Sequence, residues 1–172
     1  MSKDHEFYDN IYTYVAQNLE PHQIAPDLAY AYAERISLKA QHKTFLDEMI
    51  YFGKLHYFMD VMLPNKSDEE KIGYTAEQLA WAKANEVNIW AHFIEKELLF
   101  STSSDLAHKF INPAPFSRFG LELDAESPGR IGRYIGWQIV RSYMKNNTVS
   151  LDDLMRTGAE DIFNNATFKP RK

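Results

Sequence analysis

Six histidines (His5, His22, His42, His56, His92 and His108) and the lack of any cysteine limit what chemistry this chain can do. A helical H-E-x-x-H zinc site needs two imidazoles four residues apart, so that both ligands share one face. No histidine pair has that spacing. The Glu-x-x-His element of bundle di-iron sites does not occur either. Asp105 with His108, and His56 with Asp60, each bring two possible ligands onto one helical face. Two groups alone read more simply as a hydrogen-bonded pair. Thiol nucleophiles, Cys-ligated zinc and disulfides are excluded. There is no G-x-x-x-x-G-K-[ST] phosphate loop and no G-x-S-x-G nucleophile elbow. No metal, no cofactor and no complete catalytic site are expected.

Two other features carry possible function. Glu86, between Trp81 and Trp90, is a general base if desolvated; its simpler role is a hydrogen bond to a neighbouring element. Gly129, Gly132 and Gly136 sit three and four apart in Ser127–Met144, a helical spacing that puts them on one face. Each interior Gly costs a helix about 1 kcal/mol relative to Ala, so something must offset it. Close helix packing is one answer; a partner lying in the groove is the other. Arg130, Arg133 and Arg141 share this helix, and a cation in the first turn adds to the positive end of the helix dipole, where it is unfavourable. Arg130 therefore points to a carboxylate partner, internal or external.

The elements that must position these groups read as helices. Apolar spacing predicts a first helix over Glu6–Asn18, with Phe7, Ile11, Tyr14 and Val15 on one face. A second starts near Pro26 with Leu28, Tyr32, Ile36 and Leu38 towards the core. A third covers Thr44–Met62 and stops at Pro64. Asn65–Lys71 is a solvated connection. The Thr75-Ala-Glu-Gln78 capping box opens one long helix through Trp81, Trp90 and Phe100. Ser104 and Asp105 cap a short helix ending near Ile111. The stretch 112–126, with Pro113, Pro115 and Gly120, is a long irregular loop holding at most one short strand. Ser127 as N-cap and Pro128 at the first position start a helix to Lys145. Ser150 caps a last helix, Leu151–Phe163.

With 45% apolar and 14% aromatic residues, the 172-residue chain can bury a core with ring-on-ring packing. The expectation is a single, mainly α domain over 1–172. A net charge of −5, with 19 basic and 24 acidic side chains, supplies no field for nucleic acid or a polybasic membrane contact. No apolar run is long enough for a transmembrane helix. The start, Met1-Ser-Lys-Asp-His5, lacks the apolar stretch of a signal peptide.

Several motifs, in order, resemble the gliding-motility lipoprotein B family of Bacteroidetes. They are Leu46-x-x-Met49-Ile-Tyr-Phe-Gly-Lys54, Tyr74-Thr-x-Glu-Gln-Leu-x-Trp81, Asn85-Glu86-x-x-Ile-Trp90, Ala114-Pro-Phe-Ser117 and Ser127–Met144. The resemblance runs from about Thr44 to the end and is loose before it. That family is similar, more distantly, to zincin-type zinc peptidases, in which an H-E-x-x-H helix precedes a helix carrying Glu-Gly. The corresponding positions here are Phe52-Gly53, and Ala29–Ser37 holds no His. The resemblance thus implies a compact multi-helix domain like the helical part of a zincin peptidase, with its metal centre gone. It also implies a cell-envelope location on the periplasmic side, although this chain lacks the lipidated Cys of the family. It is then a truncated form or a divergent relative.

The expected function is a non-enzymatic binding or assembly component of the gliding-motility and secretion apparatus, holding a protein or peptide partner. Its candidate contacts are Lys54, Glu86, Trp90, Arg130, Arg133, Gly132 and Gly136. The alternative is a metal-dependent hydrolase with a relocated site around His56, His92 and Glu86.

Overall fold

The computed structural model describes residues 11–39, 43–121 and 124–171. Nine α-helices are found among them: α1 (Thr13–Ala16), α2 (Ile24–Ile36), α3 (Phe45–Met62), α4 (Asp68–Ile72), α5 (Ala76–Ala84), α6 (Glu86–Glu95), α7 (Ile131–Asn146), α8 (Leu151–Arg156) and α9 (Ala159–Ala166). The mainly α expectation holds, and no strand occurs among the described residues, including the described part of the 112–126 loop.

Helix α3 is the centre of the molecule. Thr44 caps it by accepting from the Asp47 amide at 3.1 Å. Its first amides are also satisfied from outside, Phe45 N–H by Ser101 O (2.9 Å) and Leu46 N–H by Leu99 O (2.8 Å). Buried residues surround the whole helix, from Phe45 and Leu46 to Leu55, Phe58 and Met59. A helix apolar all round has neighbours on every side, and α3 packs against α2, α7 and α9. Against α7 the approach is backbone to backbone. A Cβ on Gly136 would overlap the Met49 carbonyl, and one on Gly53 would overlap the Gly136 carbonyl. The aromatic content packs as rings: Phe45 on Phe93 at 5.0 Å between centroids, Phe93 on Phe110 at 5.2 Å and Phe110 on Phe119 at 5.1 Å.

The structure corrects several elements. The first helix shrinks to α1, with no buried residue; positions 6–10, Phe7 among them, lie outside the described residues. Helix α2 faces the opposite way from its apolar pattern. Leu28 is 72% exposed and Tyr32 60%, with Ile36 and Leu38 also exposed. The inward row is Gln23, Pro26, Tyr30, Ala33 and Ser37, and Ala33 packs with Leu55 and Phe58. Ala33 leaves room for Leu55 and Phe58 of α3, and one turn away the Tyr30 ring packs edge-on against His56. The "solvated" stretch after Pro64 contains α4, because Ser67 and Glu70 form a second capping box.

Three predicted helices break or shift. The long helix after Thr75 divides at Asn85, whose Nδ2–H donates back to Trp81 O at 3.0 Å, and α6 ends at Glu95, before Leu98 and Phe100. The short helix to Ile111 is a π-turn over Ala107–Ile111. The last helix splits into α8 and α9 at Thr157-Gly158.

Candidate functional site

The start of α7 is built by the irregular loop and not by its own N-cap. Helix α7 opens at Ile131, three residues later than the Ser127-Pro128 signal suggests. Ser127 turns back into the loop instead: its Oγ accepts from Ser117 N–H (3.1 Å) and donates to Asp124 O (2.7 Å). The capping oxygen comes from Ser117, whose Oγ accepts from Ile131 N–H at 3.2 Å and donates to Pro128 O at 2.7 Å. Gly129 is required because a Cβ there would overlap the Ala114 carbonyl. Arg130 then occupies the left-handed region (φ 61°, ψ 27°). For a residue with a Cβ this costs on the order of 1 kcal/mol, and Asn or Gly is the usual occupant.

That turn presents Arg130 and Arg133 to one surface cavity of about 150 Å3, which Gln23, Asp27, Tyr30 and His56 also line. Arg130 donates to Gly73 O at 3.0 Å and lies over the Tyr74 ring at 5.6 Å. Arg133 donates through Nε to Ile111 O (2.7 Å) and through Nη1 to Tyr30 Oη (3.2 Å), with the Phe52 ring 3.9 Å beneath. Neither is ion-paired with a carboxylate among the described residues. Burial lowers the Arg133 pKa, and the nearby Arg130 charge lowers it further. Burial pushes the Tyr30 hydroxyl up to about 12 and brings His56 down to about 3. A second cavity of about 270 Å3, lined by Tyr14, Val15, Pro113 and Ala114, shares Asn18, Asp27 and Arg130 with the first.

The other expected contacts are elsewhere and have internal partners. Lys54, 3% exposed, donates to Leu38 O, Met155 O and Thr157 O at 3.1–3.3 Å. Desolvation brings its pKa down to about 8. Glu86, 1% exposed, accepts from Tyr134 Oη (2.9 Å) and from the Arg171 amide (3.0 Å). Trp90 packs on Phe163 and Phe168. The groove expected over Gly132 and Gly136 is filled by this chain: Met49 lies against Gly136, and Ile111, Phe110 and Phe45 against Gly132. A partner in that groove is therefore corrected to helix packing.

The carboxylate partner suspected for Arg130 belongs to Arg141 instead, which pairs with Asp60 (2.7 Å) and Asp68 (2.7 Å). The relocated metal constellation does not assemble: among the described residues no three His, Asp or Glu side chains are grouped as ligands. His56 packs on Trp137, His92 on Phe119 and Glu86 on Tyr134.

The model of the family described as gliding motility protein GldB matches residues 1–170. The chain belongs to that family. Membership in the GldB family covers the first forty residues too, where the motifs resembled it only loosely, and so includes α1 and α2. No curated protein matches the chain. No solved structure matches it either. Among the described residues no helix is long and apolar enough to cross a membrane.

Gln23, Asp27, Tyr30 and Ser117 were missed as site residues. The row 23, 26, 30, 33, 37 has a three-four spacing that marks a helix face, but its small and polar members conceal it. Gln23 carries no sequence signal at all.

Proposed function

We propose that this chain is a non-enzymatic binding or assembly component of the gliding-motility and secretion apparatus at the cell envelope. It holds a protein or peptide partner in the cleft between α2 and the start of α7. Family membership supports the gliding role. One observation carries the binding reading: two arginines share an open cavity, bond to the described residues through three of their N–H groups and form no ion pair among them, with Asp27 lining the same cavity and Glu34 and Glu48 acting on Arg133 from further away. Bringing a cation out of water without an anion is costly, and a partner's anion removes that cost.

The distant likeness to zinc peptidases belongs to the same proposal. Phe52 takes the place of the motif carboxylate, and its ring supports the Arg133 guanidinium. Tyr30, from the stretch without its histidine pair, accepts from the same guanidinium. A fixed cation thus stands beside residues that would have held a metal. The test is complementation of a deletion strain of the source bacterium with the wild type and with Arg130→Asn, a substitution suited to the left-handed backbone. The wild type is expected to restore spreading. The variant, present at equal level and with a melting midpoint within a few degrees, is expected to fail. Full spreading by the variant would remove the cleft from the mechanism, and stoichiometric bound zinc in the purified chain would remove the non-enzymatic reading.

A further inference from the structure

Helix α2 turns an apolar strip away from the core. Ile24 is 66% exposed and Ile36 43%, and with Leu28 and Tyr32 between them they stand four apart, which aligns them along one side of the helix. Ala25 and Ala31 flank the row and are exposed as well. From these exposures the strip measures roughly 500 Å2, towards the top of what a monomer usually shows. Two such strips laid together cover about 1,000 Å2, the size at which a specific interface begins.

The charges on this face say what covers it. Asp27 and Arg35 border the strip and are exposed, and neither is ion-paired among the described residues. They lie eight residues apart, about 12 Å along the axis, too far to meet each other. A membrane surface suits a helix whose polar border is basic. Here the border sets Asp27 and Glu34 against Arg35, on a chain of net charge −5. A second copy of the same helix suits it better. In a parallel pair Arg35 meets Arg35 and Asp27 meets Asp27. In an antiparallel pair with Ala31 on the two-fold axis, Asp27 of each copy lies level with Arg35 of the other, since both are four residues from Ala31. The small Ala31 side chain lets the two backbones approach at the axis, and Leu28 falls at a level between Tyr32 and Ile36 of the other copy.

We propose that the chain forms a two-fold dimer through antiparallel pairing of α2, with Asp27 of each copy on Arg35 of the other. One pair of short helices makes a small interface, so the Kd is of roughly ten-micromolar order. Well below that concentration the face stays in water, and substitutions on it leave the melting midpoint unmoved.

The test is sedimentation equilibrium of the full chain from about 1 to about 300 µM, which brackets that Kd. The mass should rise from 20.0 kDa towards twice that value. Leu28→Glu, at a side chain already in water, should keep the dilute melting midpoint and stay monomeric throughout. Asp27→Arg or Arg35→Asp alone should weaken the dimer about ten-fold or more, and the two together should restore it. The chain has no cysteine, so single ones report the register. Oxidised Ala31→Cys should link to its own counterpart, whereas Leu28→Cys, displaced about 9 Å from its counterpart along the axis, should not.

An unchanged mass of 20.0 kDa at every concentration would overturn the proposal. A dimer that Leu28→Glu leaves intact would overturn it by placing the contact elsewhere, and one that crosslinks through Leu28→Cys would overturn it by making the pairing parallel. Failure of the double variant to recover would remove the Asp27–Arg35 pairing and the register that depends on it. A chain that stays monomeric but binds phosphatidylcholine vesicles, and loses them with Leu28→Glu, would give the face to a lipid surface instead.

Discussion

At the scale of single residues, burial without a matching ion is the recurring theme, and His56 shows its pH consequence most clearly. The ring is 2% exposed, its Nδ1–H donates to Phe52 O at 2.7 Å, and Tyr30 and Trp137 pack against it. Desolvation, the largest influence, holds its pKa at about 3 against an ordinary 6.5. The unfolded chain therefore binds more protons between these values, and stability falls as pH drops from about 6.5 towards 3. The slope from this residue is at most about 1.4 kcal/mol per pH unit. Urea midpoints of the wild type and of His56→Gln, taken from pH 7 to pH 4, should diverge: the variant loses this part of the acid sensitivity and keeps the rest. Asp68 works at lower pH. Its hydrogen bonds from Arg141 hold its carboxyl below the usual range, so its contribution is present above the ordinary value and fades as pH falls through the folded one. Glu86 was legible as either a base or a buried hydrogen-bond partner; the structure gives it Tyr134 and the Arg171 amide.

At the scale of elements, α3 and α7 were readable because local signals and burial agree there. Thr44 and Pro64 bracket one helix, and the glycine spacing marks the face of the other. Helix α2 was misread because a sequence states which residues are apolar, not which face meets Leu55 and Phe58. The break at Asn85 is a local one, made by its side chain bonding back to Trp81 O, whereas the split at Thr157-Gly158 is held by a partner distant in the chain, the Lys54 bond to Thr157 O, which no local pattern announces. The same is true of the cavity. Its arginines were visible in the sequence, but Gln23 and Ser117 reach the start of α7 only through the fold. Substitutions separate these cases. Leu28→Ser should change stability by less than about 0.5 kcal/mol, because the side chain is already in water. Gly136→Ala should cost about 3 kcal/mol or more, because its methyl group meets the α3 backbone and not a side chain that can turn away. Thermal melts of the two variants check both. A large loss for Leu28→Ser would mean that this face is covered.

At the scale of the whole molecule, Arg141 ties three helices together. Its guanidinium meets Asp60 of α3 and Asp68 of α4, lies 3.8 Å over the Trp137 ring of its own helix, and shares Asp60 with Lys71 and the Trp137 indole N–H. Removing it leaves two partly buried carboxylates with less compensation. Arg141→Met is expected to cost about 3 kcal/mol in chemical denaturation, with most of the loss recovered when Asp60→Asn and Asp68→Asn are added. The glycine contact between α3 and α7 has a different consequence, one of timing. The two helices that form the centre are separated by the whole of residues 63–130. A growing chain releases α3 long before α7 exists to cover it, and α3 is the helix with apolar side chains on every side. Local contacts cannot close this core, so its folding must await the synthesis of α7. A nascent chain halted before residue 131 should therefore remain bound to chaperones, and one released after residue 146 should begin to resist protease.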